Sequence, residues 1–144
     1  PGDRDLVEEL LQHLHQDRVD FTVFWRRLSQ AVVDAERGAQ AFDPVRDLFI
    51  HREQFDLWCS KYLTRLGPDH HPQAGQAMLR TNPKFVLRNH LGEMAIRLAQ
   101  QGDFGMVQSL LTVLQQPLEE HPAFESWAGL APEWASSIEI SCSS

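Results

Sequence analysis

Apolar residues along this chain recur at spacings of three and four and almost never alternate at two, the pattern of amphipathic helices buried on one face. Leu6, Val7, Leu10, Leu11 and Leu14 form a first stripe, with Asp3 or Asp5 placed to accept the free N–H groups at its start. A second stripe of Phe21, Phe24, Trp25, Leu28 and Val32 follows Asp20, a residue suited to an N-cap, and runs towards Gly38 as a stop. Asp43-Pro44 opens a short helix faced by Val45, Leu48 and Phe49, since proline at the first helical position forfeits no hydrogen bond. The most regular stripe is Phe55, Trp58, Cys59, Tyr62, Leu63 and Leu66, ended by Gly67-Pro68.

Residues 67–72 read as a polar connector. Ala74, Ala77 and Met78 predict a small helix that ends near Asn82, because Pro83 steers the residue before it out of helical geometry. A longer helix restarts beyond it, lined by Phe85, Leu87, Leu91, Met94, Ala95 and Leu98 and closed by Gly102. Asp103 caps a final one bearing Phe104, Val107, Leu110, Leu111 and Leu114. The periodicity then stops. Pro117, Pro122 and Pro132 interrupt a stretch holding Phe124, Trp127 and Trp134, too aromatic for a free tail, and this reads as an extended strap across the helices. Ile138 to Ser144 could pair as a short strand, although small residues at a terminus are usually mobile. The expectation is therefore an all-α fold, a single multi-helix domain of about six or seven helices. A helical bundle spans 1–116, and an extended Pro- and Trp-containing strap and tail spans 117–144.

Composition sharpens this picture by exclusion. A chain of 144 residues that is 42% hydrophobic and 23% charged falls with ordinary globular domains. At that length roughly 70% of the unfolded surface can be buried, enough for a core without metal or disulfide staples. Thirteen Lys and Arg against twenty Asp and Glu give a formal charge of -7, which repels a phosphate backbone unless the cations gather on one face. Neither nucleic acid nor a membrane is expected as a partner, the latter because no apolar run approaches the roughly 18 residues that a span needs. The chain opens on Pro1 without an initiator Met, so either a processed end or a protein that extends upstream is the expectation.

Candidate chemistry is sparse. His13 and His15 lie two apart on a helix and point to different faces, and His70-His71 have only Asp69 nearby, so no metal site is expected. There is no GxSxG turn, no Gly-rich phosphate loop and no kinase HRD or DFG element. Cys59 sits on an apolar stripe and reads as a buried structural thiol. The compact cationic features are Arg26-Arg27 and Lys84 with Arg88. Arg88-Asn89-His90 opens a helix whose free N–H groups favour anions, so Arg26, Arg27, Lys84, Arg88 and Asn89 are candidates for contact with an anion or a partner domain. Intramolecular ion pairing and plain solvated surface are the competing expectations. Cys142, third from the end among small polar neighbours, is an accessible thiol suited to disulfide exchange, or an incidental surface cysteine.

Several stretches together resemble the C-terminal part of the SelO (selenoprotein O) family. They are Val19-Asp20-Phe21-Thr22 with Phe24-Trp25-Arg26-Arg27-Leu28; Trp58 with Tyr62, Arg65 and Leu66; Asn82-Pro83-Lys84-Phe85-Val86-Leu87-Arg88-Asn89; Pro132-Glu133-Trp134-Ala135; and Ile138-Glu139-Ile140-Ser141-Cys142-Ser143-Ser144. The resemblance implies a parent enzyme with a kinase-like core that binds ATP with Mg²⁺ or Mn²⁺. That core transfers AMP to hydroxyl side chains of protein substrates, and it lies upstream of this region. No catalytic residue carries over, and no cofactor is expected on this piece itself. Cys142 occupies the place of the family's selenocysteine, or of the bacterial cysteine that resembles a redox switch paired with a cysteine in the core. Glu139 stands where selenocysteine-containing relatives place a second cysteine, so a local dithiol is excluded. The Cys-containing end suggests a bacterial, cytoplasmic protein. The resemblance makes this region a structural and regulatory element partnered by its own core. The alternative is a stand-alone helical module that binds an acidic or phosphorylated partner through Arg26, Arg27, Lys84 and Arg88.

Overall fold

A computed structural model describes residues 2–132 and 134–135. Its regular structure among those residues is entirely helical, in eight α-helices and four short 3-10 turns. The helices are α1 (Gly2–Gln16), α2 (Phe21–Val33), α3 (Asp43–Arg46), α4 (Arg52–Leu66), α5 (His71–Leu79), α6 (Asn89–Gln100), α7 (Gly105–Gln115) and α8 (Glu125–Ala128). The first seven correspond to the seven apolar stripes, and α8 is additional. The chain divides into two compact units, Pro1–Asn82 and Pro83–Ser144.

In the first unit α2 packs along α5, and α1 packs on α4. Leu10, Leu14, Phe24, Leu28, Val32, Val45, Phe49, Phe55 and Trp58 form the core. Its aromatic rings are layered: Phe49 stacks on Phe55 at 4.8 Å and Trp58 on Tyr62 at 4.9 Å, offset contacts that add to area burial. Asp20 caps α2 as expected, its carboxylate accepting from the N–H of Val23 at 3.0 Å. Asp3 does something else. It lies inside α1, and its carboxylate takes two hydrogen bonds from Arg65 at 2.6 and 3.1 Å, joining the start of α1 to the end of α4. Val7 and Leu11 turn outwards at 51% and 46% exposure, so the buried stripe of α1 is narrower than its apolar content implied. The expected polar connector after Gly67 is a 3-10 turn over Pro68–His70 that runs into α5.

The closest approach in this unit was not legible from apolar spacing. Gly75 of α5 is buried against α2, where an added Cβ would lie 2.5 Å from the Val33 nitrogen and 3.0 Å from the Ser29 carbonyl oxygen. Only a residue without a side chain lets these two backbones meet. Ser29 is fully buried beside them and satisfies its hydroxyl by donating to the Trp25 carbonyl at 2.6 Å.

In the second unit α6 packs on α7 through Leu91, Ala95 and Leu110, with Met106, Val107 and Trp127 around them. The helix expected from Phe85 begins only at Asn89. The reason lies in the preceding hydrogen bonds: the N–H groups of Lys84 and Phe85 both donate to the Pro117 carbonyl, at 2.9 and 3.3 Å, which leaves this stretch outside the helix. Phe85 is still core, with its ring edge-on to His121. On α7 the buried positions are Leu110 and Val113, whereas Phe104 and Leu111 are more than half exposed. Asp103 accepts from the Gly105 N–H at 3.0 Å and so helps to start α7, although Phe104 is the boundary residue. The described part of the 117–144 segment contains a 3-10 turn at Pro122–Phe124 and the short α8, with Phe124 stacked on Trp127 at 4.5 Å.

Candidate functional site

Three of the candidate cations are engaged within their own units. Arg26, half-buried on α2, donates to the carbonyls of Leu79 and Asn82, both at 3.0 Å. Leu79 is the last residue of α5, where carbonyls lack helical partners, and Asn82 lies three residues beyond it. Arg27 donates to the Pro44 carbonyl at 2.8 Å. Lys84 is buried, and its ammonium donates to the Glu120 carboxylate at 2.7 Å, to the Glu120 carbonyl at 2.9 Å and to the Glu125 carboxylate. Burial works against that charge, yet the hydrogen bonds to Glu120 and Glu125 outweigh it and hold the Lys84 pKa above the ordinary lysine value. Lys84 therefore fastens its own extended segment to the stretch leading into α8.

Arg88 and Asn89 are placed differently. Arg88 is the N-cap of α6 with extended backbone (φ -93°, ψ 144°), and no side chain caps the helix there. The first main-chain bond of this end runs from the Gly92 N–H to the Arg88 carbonyl at 3.0 Å. The N–H groups of Asn89, His90 and Leu91 thus point out of the helix end without an acceptor among the described residues. Beside this end lies a pocket of about 640 Å³ lined by Val86, Leu87, Arg88, Asn89, His90 and Pro132, with two alanines completing the wall. His90 is a functional candidate that helical periodicity did not single out. It is only 7% exposed, and its ring is edge-on to Trp134 at 5.7 Å. Burial, aided by the positive charge of Arg88, lowers its pKa below the usual histidine value, so the ring is neutral at pH 7.

The two cysteines separate cleanly. Cys59 is 6% exposed in the first core, and burial, with a smaller contribution from Asp56, pushes its thiol up to about 12. A thiol held that high carries almost no thiolate at neutral pH and is inert to exchange. Cys142 lies outside the described residues, as does the Ile138 to Ser144 segment. Among the described residues no group of three or more His, Cys, Asp or Glu side chains comes together as a metal site would require. No helix among them is long and apolar enough to cross a membrane.

Comparison with known proteins places this geometry in a family. The model described as "Protein adenylyltransferase SelO" matches residues 1–115. A protein nucleotidyltransferase YdiU of Variovorax paradoxus is 50% identical over 143 residues, covering 99% of this chain and 28% of the relative. That of Albidiferax ferrireducens is 52% identical over 144 residues, again 99% of this chain and 28% of the relative. That of Burkholderia multivorans is 50% identical over 146 residues and 27% of its length. The chain therefore spans little more than a quarter of the curated relatives it matches, and on these matches it belongs to the SelO family.

Proposed function

We propose that this chain is the helical C-terminal region of a protein adenylyltransferase. Its role is to pack against and regulate a kinase-like core supplied by the rest of the protein. The whole protein transfers AMP from ATP, with Mg²⁺ or Mn²⁺, to hydroxyl side chains of protein substrates, and this region contributes no catalytic group. The observation that carries this reading is the match at about half identity along 99% of the chain to proteins named nucleotidyltransferases, of which the chain spans 28%. Exposed apolar residues such as Ile50, Leu57, Ile96 and Phe104 supply surface for a partner domain. Cys142 acts as a redox tether to the core; the inert Cys59 leaves it the exchange-competent thiol of the two. A stand-alone module recruiting an acidic partner loses support, because Arg26, Arg27 and Lys84 are spent on contacts within the fold.

The test compares the longer protein with this chain alone in labelled ATP and Mn²⁺. AMP incorporation is expected only with the longer protein, and equal incorporation by both overturns the assignment. Titrating the longer protein against thiol redox state, with Cys142→Ser alongside, tests the tether. A variant that responds to oxidation as the original does removes it.

A further inference from the structure

The first unit carries a cleft that its own core leaves uncovered. Between α1, α2 and α4 a cavity of about 360 Å³ is floored by the buried Leu10 and Trp58 and walled by Leu6, Val7, Trp25 and Tyr62. Phe21, 56% exposed and edge-on to Trp25 at 5.8 Å, carries apolar surface onward from that wall. The polar atoms of the floor and walls are matched within the fold where they are described: Trp58 Nε1 donates to the Leu6 carbonyl at 2.9 Å, and the Tyr62 hydroxyl donates to the Met78 sulfur at 3.4 Å. Asp3 and Arg65, which also line the cleft, are bonded to each other. What the cleft offers is apolar contact, which suits an apolar side chain and penalises a charged one.

Two further facts bear on what covers it. Nearly three-quarters of the length of the relatives lies outside this chain; on the function proposed above, on which this inference rests, that part precedes Pro1. The cleft stands where such a segment must arrive. Asp3, in the first turn of α1, is part of its lining, and along α1 the cleft extends only to Leu10, about 10 Å at the rise of a helix. Proline at position 1 disfavours helical geometry in a residue before it, so the upstream chain meets α1 as an extended stretch and not as a longer helix. About four extended residues are enough to span the cleft. From this placement we infer that the segment directly before Pro1, roughly ten residues with a reach of about 33 Å, folds back along α1 and seats an apolar side chain between Val7, Trp25 and Tyr62. Attachment to α1 keeps the segment at high effective concentration, so one seated side chain holds it where a free peptide would dissociate.

The experiment uses the longer protein. Val7→Cys puts a thiol at the cleft on a half-exposed position, and its maleimide labelling is located by peptide mass spectrometry. The native sequence is compared with one in which the segment directly before Pro1 is replaced by a Gly-Ser stretch of equal length. Labelling about ten-fold slower with the native segment is the expected result, the protection that one seated apolar side chain provides. Cys59, buried in the same unit, is the internal control and should stay unlabelled in both proteins. Fast labelling of position 7 in both shows an open cleft, and slow labelling in both shows that another part of the protein covers it; either overturns the inference. Labelling of Cys59 with the Gly-Ser stretch overturns it as well, because the segment would then be holding the core together and not lying in a cleft. AMP incorporation is read on the same native protein. Its absence overturns the transferase reading and leaves the labelling result standing, whereas incorporation with an open cleft overturns this inference alone.

Discussion

The Asp17 carboxylate sits 2.6 Å from the His51 ring nitrogen Nδ1 and accepts from the His51 and Ile50 N–H groups at 2.8 and 3.0 Å, with its side chain only 2% exposed. One acid just beyond α1 thus satisfies the donors that open α4, the capping role that His51 cannot fill for itself.

Replacing Asp17 by Asn keeps the shape but removes the charge and turns one acceptor oxygen into a donor facing donors. We expect a loss of about 2 kcal/mol, the cost of leaving buried N–H groups unsatisfied, read from urea unfolding at pH 7. Burial raises the Asp17 pKa, but the hydrogen bonds and charge of His51, with the Ile50 N–H, outweigh it and leave a net lowering. The stabilisation is therefore present above the unfolded carboxyl value and disappears as pH falls through the lower folded value. The gap between the parent and Asp17→Asn should close in that acid range, and a constant gap down to pH 2 would contradict the linkage.

Gly75→Ala tests the α2–α5 approach. In an ordinary helix this change stabilises by up to about 1 kcal/mol. Here the new methyl would meet the Val33 backbone at 2.5 Å, and overpacking of that kind costs about 1–3 kcal/mol. The net expectation is destabilisation, with a lower urea midpoint, and a raised midpoint would show that the helices separate freely.

Lys84→Met preserves most of the buried side-chain volume while removing the donors to Glu120 and Glu125. Both carboxylates are more than 60% exposed and return to water easily, so the expected loss is modest, about 1 kcal/mol. Because the folded Lys84 pKa is raised, its contribution is complete below the unfolded lysine value and fades as pH rises through the folded one. Unfolding curves of parent and variant at pH 8 and pH 11 should differ more at the lower pH.

Cys59 should resist alkylation. With its pKa near 12 and its side chain in the core, iodoacetamide at pH 8 should leave it unmodified in the folded chain and label it fully in denaturant, as peptide mass spectrometry would show. Rapid labelling without denaturant would mean that α4 opens readily.

Each stripe at helical spacing became a helix, because burying one face of an amphipathic segment is a local property that spacing alone encodes. Asp20 and Pro44 likewise sit where short-range rules put them. The Asn-Pro-Lys-Phe-Val-Leu-Arg-Asn segment and its neighbours carried the family resemblance, since sequence identity needs no geometry. What spacing could not convey depended on residues far apart in the chain. For Lys84 and Arg26 the sequence left partner contact, an ion pair within the fold and solvated surface all open, until Glu120 and Glu125, some forty residues on, closed around Lys84 and the Leu79 and Asn82 carbonyls came against Arg26. Phe85 seemed helical until the Pro117 carbonyl claimed the local N–H groups. Gly75 was an unremarked small residue until α2 came against it. Periodicity reports which face of a helix is hidden, whereas the partner of a charge or the neighbour of a glycine is fixed by chain closure over tens of residues, and only the folded arrangement supplies it.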